Sequence, residues 1–319
     1  MTEKNPSTWQ ERIEGEWYGC PSVFDAQGHH VGYNKVNRSS VFEDGRTTYF
    51  MDTKLDATGP IRSRFEARTF AFGVEDSDQD RIYLGPDFMG SGQPFGSLVS
   101  ARYYSPAWTS DLETMVHILP DGKTQVYSSL LYDGPTIAAV FNGVYTVAFD
   151  YGQNPETDAR VDAFVDNERV AGKTPHVLPF KNAGTWQGTL EVYSAKQERL
   201  GEEQVTIHYQ PKTLLRASSV VETEGILNNR YEFVRHRTGH RHAFEGPDMY
   251  GNAIGYGRAL YTTQHLYGEA TRIRGREFII DDQFTMSVVW QIFQSGRLAY
   301  TAFGVLRWNE GEQILKARY

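Results

Sequence analysis

Short runs of alternating polar and apolar residues recur along most of the chain, whereas long stretches of helical periodicity are scarce. Examples of these runs are Thr47–Met51, Arg64–Phe70, Thr114–Leu119, Gln125–Tyr132, Gln204–Tyr209 and Thr285–Phe293. Successive side chains of a strand point to opposite faces, so this pattern predicts half-buried β-strands. Their spacing of about 8–12 residues favours a sandwich or a barrel. We expect a barrel, because a closed sheet leaves no edge strand unpaired.

Turn-forming residues separate these runs, as at Asp44-Gly45, Pro120-Asp121-Gly122 and Ser295-Gly296. Such pairs between two strand-like runs predict hairpins. Only short helices are expected. The segment Ser7–Ile13 is the best candidate, with Ser7 as its N-cap and Gln10 three residues further on.

One set of motifs occurs twice. Gly85-Pro86-Asp87-Phe88-Met89-Gly90 recurs 161 residues later as Gly246-Pro247-Asp248-Met249-Tyr250-Gly251. Gly15-Glu16-Trp17-Tyr18-Gly19 corresponds to Gly184-Thr185-Trp186-Gln187-Gly188 at an offset of 169, and Arg64-Phe65-Glu66 to Arg230-Tyr231-Glu232 at 166. Motifs in the same order with small drifts in spacing indicate two copies of one folding unit.

The sequence therefore predicts an all-β protein of two tandem antiparallel β-barrels that arose by internal duplication. The expected domains are residues 1–155 and 180–319. Residues 156–179 are expected to form a linker or a connecting strand. A length of 319 residues suits two domains, each large enough to bury its own core.

Composition narrows the functional classes. The net charge of −8 argues against nucleic-acid binding, which requires clustered basic residues. A single cysteine, Cys20, excludes an intrachain disulfide and a thiolate metal cluster. The N-terminus lacks the apolar run of a signal peptide, and no apolar stretch is long enough for a membrane span. We therefore expect a cytoplasmic location.

A Gly-x-Trp-x-Gly motif near the start of an antiparallel barrel, as at Gly15–Gly19 and Gly184–Gly188, resembles the lipocalin, or calycin, superfamily. The chain looks most like double-lipocalin proteins and is distantly similar to two-domain lipocalin-like carotenoid hydratases and natural-product cyclases. The resemblance implies two lipocalin-like barrels able to hold a small molecule. It also implies that Arg307 stacks over the tryptophan of the second copy. Thr146 stands at the matching position of the first copy.

Two other segments suggest chemistry without specifying it. His236, His240 and His242 lie among three arginines, which favours an exposed basic loop or an anion-binding patch over a metal site. Gly255-Tyr256-Gly257-Arg258 lacks the lysine and the strand–loop–helix context of a phosphate loop, so we expect strand glycines at a barrel corner. No metal and no cofactor are predicted.

Residues that differ between the copies are the best candidates for a site, because structural needs are shared. The predicted catalytic set is His117, Tyr104, Arg102, His265, Glu66 and Glu232. The two glutamates belong to Arg-x-Glu pairs, each on one strand face, that form either a surface ion pair or an interior site. The predicted ligand-binding set is Tyr103, Tyr127, Tyr256, Arg258 and Trp290.

The abundance of aromatic residues, 19 Tyr, 18 Phe and 6 Trp, predicts a ring-lined cup for a small hydrophobic or aromatic molecule. Three hypotheses remain open. The first is a cofactor-free enzyme of the isomerase, hydratase, cyclase or lyase type, in which His, Tyr, Arg or Glu moves protons. The second is a binding or carrier protein. The third is an interaction module whose barrels are filled by their own side chains.

Overall fold

Two antiparallel β-barrels follow one another in the computed structural model, which describes residues 5–59, 68–106, 109–176, 182–268, 270–281 and 285–311. The chain divides into two compact units, Met1–Thr174 and Pro175–Tyr319. The predicted all-β fold with tandem barrels is confirmed. None of the described helices is long and apolar enough to cross a membrane.

Barrel one is built from the strands of the first unit. They are β1 (Gly15–Gly19), β2 (Ser22–Phe24), β3 (His30–Glu43), β4 (Arg46–Ala57), β5 (Arg68–Asp76), β6 (Arg81–Leu84), β7 (Met89–Phe95), β8 (Leu98–Ser105), β9 (Ser110–Ile118), β10 (Thr124–Asp133) and β11 (Thr136–Ala148). Both β1 and β2 pair with β3 on one side and with β11 on the other, so together they occupy one strand position. The break falls at Cys20-Pro21, since proline has no N–H for the ladder.

Barrel two is a closed ten-strand barrel. Its strands are β12 (Gly184–Ser194), β13 (Arg199–Thr213), β14 (Arg216–Gly225), β15 (Arg230–Thr238), β16 (Arg241–Glu245), β17 (Met249–Tyr256), β18 (Ala259–Leu266), β19 (Thr271–Ile279), β20 (Thr285–Gln294) and β21 (Arg297–Glu310). Its core is one continuous apolar cluster that includes Trp186, Leu260, Met286 and Trp290.

The strands confirm the repeat. Shifting β8, β9 and β10 by 161 residues reproduces the bounds of β18, β19 and β20. The two Gly-Pro-Asp motifs form equivalent turns, in which Gly85 N–H donates to the Phe88 carbonyl at 3.0 Å and Gly246 N–H donates to the Met249 carbonyl at 2.9 Å. The repeated motif therefore marks the same turn in each copy.

One proposed match between the copies is wrong. Gly73 pairs with Leu84, and Val234 pairs with Glu245, so the offset of 161 already applies to β5 and β15. Thr69 therefore corresponds to Arg230, and the match of Arg64 to Arg230 fails. Residues 64–66 themselves lie outside the described residues.

The tryptophan of each Gly-x-Trp-x-Gly motif is buried inside its barrel. In barrel two the predicted stacking of Arg307 is not seen, because Arg307 is exposed on the outer face. Trp308 instead pairs with Trp186, and their ring centroids are 5.5 Å apart. A second indole thus takes the place expected for the arginine.

The predicted helix near the N-terminus is present as α1 (Thr8–Arg12). The Ser7 side chain accepts a hydrogen bond from Gln10 N–H at 3.1 Å, as an N-cap residue does. Trp9 and Ile13 pack against Val99 and Val116, so α1 closes one end of barrel one.

The connection between the units departs from expectation. Residues 156–179 were predicted to be a linker or a connecting strand, but they contain most of a second helix, α2 (Pro155–Ala171). Asn154 caps it by accepting from Glu156 N–H at 3.0 Å. Val161 and Val165 pack against Tyr18 and Cys20 of barrel one. This apolar stripe, four residues apart, explains why the segment is helical rather than extended.

Candidate functional site

Barrel one encloses a cavity of about 250 Å³. Of the 24 lining residues that the structure describes, eight are phenylalanine or tyrosine. The rings of Tyr49 and Phe72 are stacked at 5.1 Å between centroids, while Phe88 meets Phe72 edge-on at 5.3 Å. The wall is therefore aromatic and mutually packed. For scale, a dry engineered cavity of ~150 Å³ holds benzene.

Barrel two is filled by its own side chains. Trp290 and Leu266 occupy the positions that Ser129 and Ser105 hold in barrel one, 161 residues earlier. The described residues of barrel two leave interior spaces of about 40 and 50 Å³. Such spaces suit one or two waters rather than an organic ligand. The duplicated wall thus encloses a hollow in one copy and a core in the other.

A buried ion pair lies at the α1 end of barrel one. Arg81 is fully buried, and its Nη1 lies 2.7 Å from Oδ2 of Asp76. The guanidinium also donates to the hydroxyls of Tyr83 at 3.2 Å and Tyr49 at 3.1 Å. Burial raises the pKa of Tyr83 to about 12, so this phenol stays protonated at neutral pH. The group forms a hydrogen-bonded floor behind the aromatic wall.

A second ion pair lies at the other end of the cavity. Arg68 forms a bidentate pair with Asp87, with N–O distances of 2.9 and 3.1 Å. Ser105 Oγ donates to the Asp87 carbonyl at 3.0 Å. Both charged side chains are about one-quarter exposed, which places them at the rim. The aspartate of the repeated Gly-Pro-Asp turn therefore neutralises a rim arginine in barrel one.

Arg38 is a further charged residue of the cavity wall. Its Nη2 donates to Oε1 of Gln125, and its guanidinium carbon lies 4.7 Å from the centroid of the Tyr145 ring. Arg38 has no salt-bridge partner among the described residues. The cavity wall therefore keeps one positive charge that no carboxylate of the described chain neutralises.

The motif glycine Gly19 makes this arrangement possible. A Cβ added at Gly19 would lie 2.6 Å from the Tyr145 ring, which real Cβ contacts do not reach. Tyr145 pairs with Gly19 on β1 and with Gln125 on β10. The bare backbone lets the tyrosine ring lie flat across β1 and support the arginine.

Two of the predicted ligand-binding residues, Tyr103 and Tyr127, line the cavity. Three predicted catalytic residues do not. His117, Arg102 and Tyr104 alternate with cavity-lining residues of β8 and β9 and so point to the opposite face.

His117 is buried on that outer face, and burial lowers its pKa to about 4. Arg102 is exposed and pairs with Asp111 at 3.1 Å. Tyr104 is also exposed. The structure therefore separates these three residues from the hollow.

The predicted residues of barrel two do not converge either. His265 stacks on Tyr250 at 4.7 Å on the outer face, and Glu232 is exposed. Tyr256 contacts the ring of Tyr261. On β18, Tyr261 alternates with the inward residues Leu260 and Thr262, so this contact lies on the outer face.

Arg258 donates to the Ile280 carbonyl at 3.0 Å, while Trp290 belongs to the apolar core. Of the two Arg-x-Glu pairs, Arg230 bonds Glu222 on the neighbouring strand rather than Glu232. Glu66 lies outside the described residues.

The Arg/His-rich segment forms the hairpin of β15 and β16, and it is only partly exposed. His242 is buried and accepts a hydrogen bond at Nδ1 from Arg235 Nε at 2.9 Å. Burial, followed by the charge of Arg235, lowers the pKa of His242 to about 2. The expectation of an exposed basic loop is therefore wrong for His242 and Arg235. No cluster of three potential metal-ligating side chains occurs in the parts of the chain that the structure covers.

No protein-family model matches the chain. No curated protein matches it either. Among solved structures, it is similar to a protein of unknown function from the DUF3598 family of Nostoc punctiforme. The two share 10% sequence identity, the match covers 96% of this chain and 100% of that one, and the TM-score is 0.58. At this identity the likeness shows a shared tandem-barrel fold alone.

Proposed function

We propose that the protein binds a small, mainly apolar or aromatic molecule inside barrel one and acts as a binding or carrier protein. The observation that carries this proposal is the contrast between the barrels. The same barrel of strands occurs in both copies, but it surrounds a cavity of about 250 Å³ in the first copy and a packed core in the second. A void of this size forfeits the dispersion contacts that a filled core would make. A bound molecule restores those contacts.

The lining supports the same proposal. Ligand sites are concave and mostly apolar, with a few polar groups that fix orientation. Eight aromatic rings, together with Arg38 and the tyrosine hydroxyls, fit that description. The lipocalin-like pattern of the sequence, a Gly-x-Trp-x-Gly barrel used as a cup, agrees with it.

A cofactor-free enzyme is less well supported than a carrier. That hypothesis relied on a His, Tyr, Arg or Glu side chain that moves protons inside one barrel. His117 faces away from the cavity, His265 stacks on an outer-face tyrosine, and Asp87 is engaged with Arg68 at the rim. Among the described lining residues, the interior offers positioning groups rather than an evident general base, and Glu66 lies outside the described residues.

Titration with the neutral fluorescent dye 1-aminoanthracene tests the proposal, because its emission rises in an apolar site. We expect one dye per chain. Leu112→Trp places an indole in the cavity, while Glu113→Trp places the same ring on the outer face of the same strand. Leu112→Trp should weaken binding at least tenfold, and Glu113→Trp should leave it unchanged.

Absence of dye binding in the wild type, or an equal effect of the two tryptophan variants, would contradict the proposal. Native mass spectrometry of freshly purified protein gives an independent readout. A co-purifying small molecule that is lost in Leu112→Trp but kept in Glu113→Trp would identify the chemical class of the ligand.

A further inference from the structure

We infer that the ligand of barrel one carries a carboxylate or a similar anionic head group, which Arg38 binds at the inner part of the cavity. This inference rests on the proposed function and adds the chemical class of the ligand. The observation behind it is a guanidinium in an aromatic cavity with no anionic partner in the described chain.

The charges of the described cavity residues do not balance. Arg68 and Asp87 neutralise one another at the rim, and Arg81 and Asp76 do so beyond the floor. Among these described arginines, Arg38 has only a neutral amide and the face of a tyrosine ring as described partners. A cation held in apolar surroundings is stabilised mainly by a paired anion. The partner that we expect for Arg38 is therefore an anion.

Gln125 supplies a second, independent observation. It is fully buried, and its Nε2 has no hydrogen-bond partner in the part of the chain that the structure describes. Arg38 can only donate hydrogen bonds, so the amide oxygen of Gln125 must face the arginine and its NH2 group must face elsewhere. Buried polar groups in proteins are almost always satisfied.

Gln125 and Arg38 line the same small space, of about 40 Å³, next to the main cavity. Arg38 and Gln125 thus offer N–H donors to this space, and the other polar side chains that line it, such as Ser40 and Tyr103, are uncharged hydroxyls that can also donate. A carboxylate supplies two acceptor oxygens, and an arginine fork matches that geometry.

The surroundings hold the guanidinium in position. Tyr145 lies under it at 4.7 Å, Gln125 Oε1 accepts from one of its nitrogens, and Trp17 is its cross-strand neighbour on β1. The hydroxyl of Tyr127 makes no hydrogen bond with any residue that the structure describes and lies on the same wall. An anionic head at Arg38 would leave the apolar body of the ligand among the rings towards the rim.

Barrel two provides the matched comparison. The strand register places Ile207 at the position of Arg38, because Trp17 pairs with Arg38 and Trp186 pairs with Ile207. Val288 stands where barrel one has Tyr127, and Leu306 where it has Tyr145. The filled barrel has therefore replaced the arginine and its tyrosine neighbours with aliphatic residues.

The test compares 2-naphthoate with its neutral isostere, naphthalene-2-methanol, by isothermal titration calorimetry on the full chain. Wild type should bind the carboxylate more tightly than the alcohol. Arg38→Ile, which copies barrel two, should weaken binding of the carboxylate about ten- to hundredfold, as expected for a charge-assisted hydrogen bond. Binding of the alcohol should be kept or improved. Arg102→Gln removes an outer-face charge and should change neither affinity.

Three results would count against the inference. Equal affinity of wild type for both compounds would overturn it and leave the proposed function intact. So would an Arg38→Ile variant that loses both compounds to the same degree with its circular dichroism unchanged. If neither compound binds the wild type and 1-aminoanthracene also fails, the proposed function falls together with the inference. Arg38→Gln, which is polar but uncharged, gives the same comparison should Arg38→Ile disturb the barrel.

Discussion

Replacement of Trp290 by alanine tests the claim that barrel two is a packed core. Trp290 is 6% exposed and belongs to the apolar cluster of barrel two. It packs beside Gly275, where an added Cβ would lie 3.4 Å from its Cδ1 atom. Removal of the indole therefore leaves a cavity that the surrounding strands cannot fill. For a buried aromatic residue replaced by alanine, we expect a loss of about 3–5 kcal/mol in the free energy of unfolding.

The matched variant in barrel one is Phe70→Ala. Phe70 lines the cavity and is only half-buried, so its ring already lacks partners on one side. We expect its loss to cost about 1–2 kcal/mol, because less apolar surface returns to water and no new enclosed void forms. The difference between the two variants, rather than either value alone, measures how differently the two barrels are packed.

Hydrogen-exchange mass spectrometry is the suitable assay, because it reports each barrel separately. Opening free energies are read from peptides in β20 for Trp290→Ala and from peptides in β5 for Phe70→Ala. Equal costs for the two variants, or a cost below about 1.5 kcal/mol for Trp290→Ala, would refute the contrast between a filled and a hollow barrel. A second dye site in Trp290→Ala would support it, since the emptied space would admit an apolar guest.

Two further predictions concern buried charged and titratable groups. Because burial lowers the pKa of His117 to about 4, the folded state binds fewer protons than the unfolded state between that value and about 6.5. Stability should therefore fall by up to about 3 kcal/mol as the pH drops through this window, and His117→Phe, which copies Phe278 of barrel two, should remove that part of the slope in urea unfolding. Asp76→Ala leaves Arg81 buried without its anion and should cost about 3–5 kcal/mol, whereas Asp78→Ala at the exposed end of the same turn should cost less than about 1 kcal/mol. Equal costs for the two aspartate variants, or an unchanged pH slope in His117→Phe, would contradict the respective prediction.

The sequence was sufficient to predict the duplicated barrels, for a physical reason. Turns and close strand crossings need particular residues, so glycine, proline and aspartate recur wherever the backbone repeats. The turns at Gly85 and Gly246 carry equivalent hydrogen bonds, and Gly19 lies against a ring that any side chain would displace. Backbone constraints of this kind are local, and a single sequence reveals them.

Helix α2 was missed although its signals were present. Asn154 and Pro155 form an N-cap followed by a first-turn proline, and Val161 and Val165 are spaced for one helical face. The apolar pattern is weak because the helix also buries Glu168 and exposes Val170. In a chain dominated by alternating polar and apolar residues, the segment from Val161 to Val165 is equally compatible with a strand.

The candidate site was harder to predict than the fold, because it depends on which face each strand residue presents. His117 and Tyr103 lie on neighbouring strands, yet only Tyr103 points into the cavity. A one-residue difference in register reverses that outcome for a whole strand. A period-two pattern shows that a strand has two different faces. Because the outer face of this barrel also buries residues such as His117, the pattern does not show which face points into the barrel.

Arg38 escaped notice for a related reason. It lies in β3 between polar neighbours, where an arginine is unremarkable, and no motif marks it. The signal that could have found it is the comparison of the copies once the Trp17 and Trp186 registers are aligned. That alignment puts a cation in one barrel against Ile207 in the other. A charged residue at an inward position of only one copy serves no need of the shared fold.

The same reasoning explains how a duplicated fold can hold both a core and a site. Each barrel needs its tryptophan, its crossing glycines and its Gly-Pro-Asp turn, and both copies keep them. The interior is free to change, because side chains that point inward do not take part in the strand ladder. Trp290 and Leu266 belong to the packed core of barrel two, whereas barrel one has Ser129 and Ser105 at the corresponding positions. Small side chains on one wall, rather than any catalytic motif, thus separate a hollow that can admit a guest from a core that excludes it.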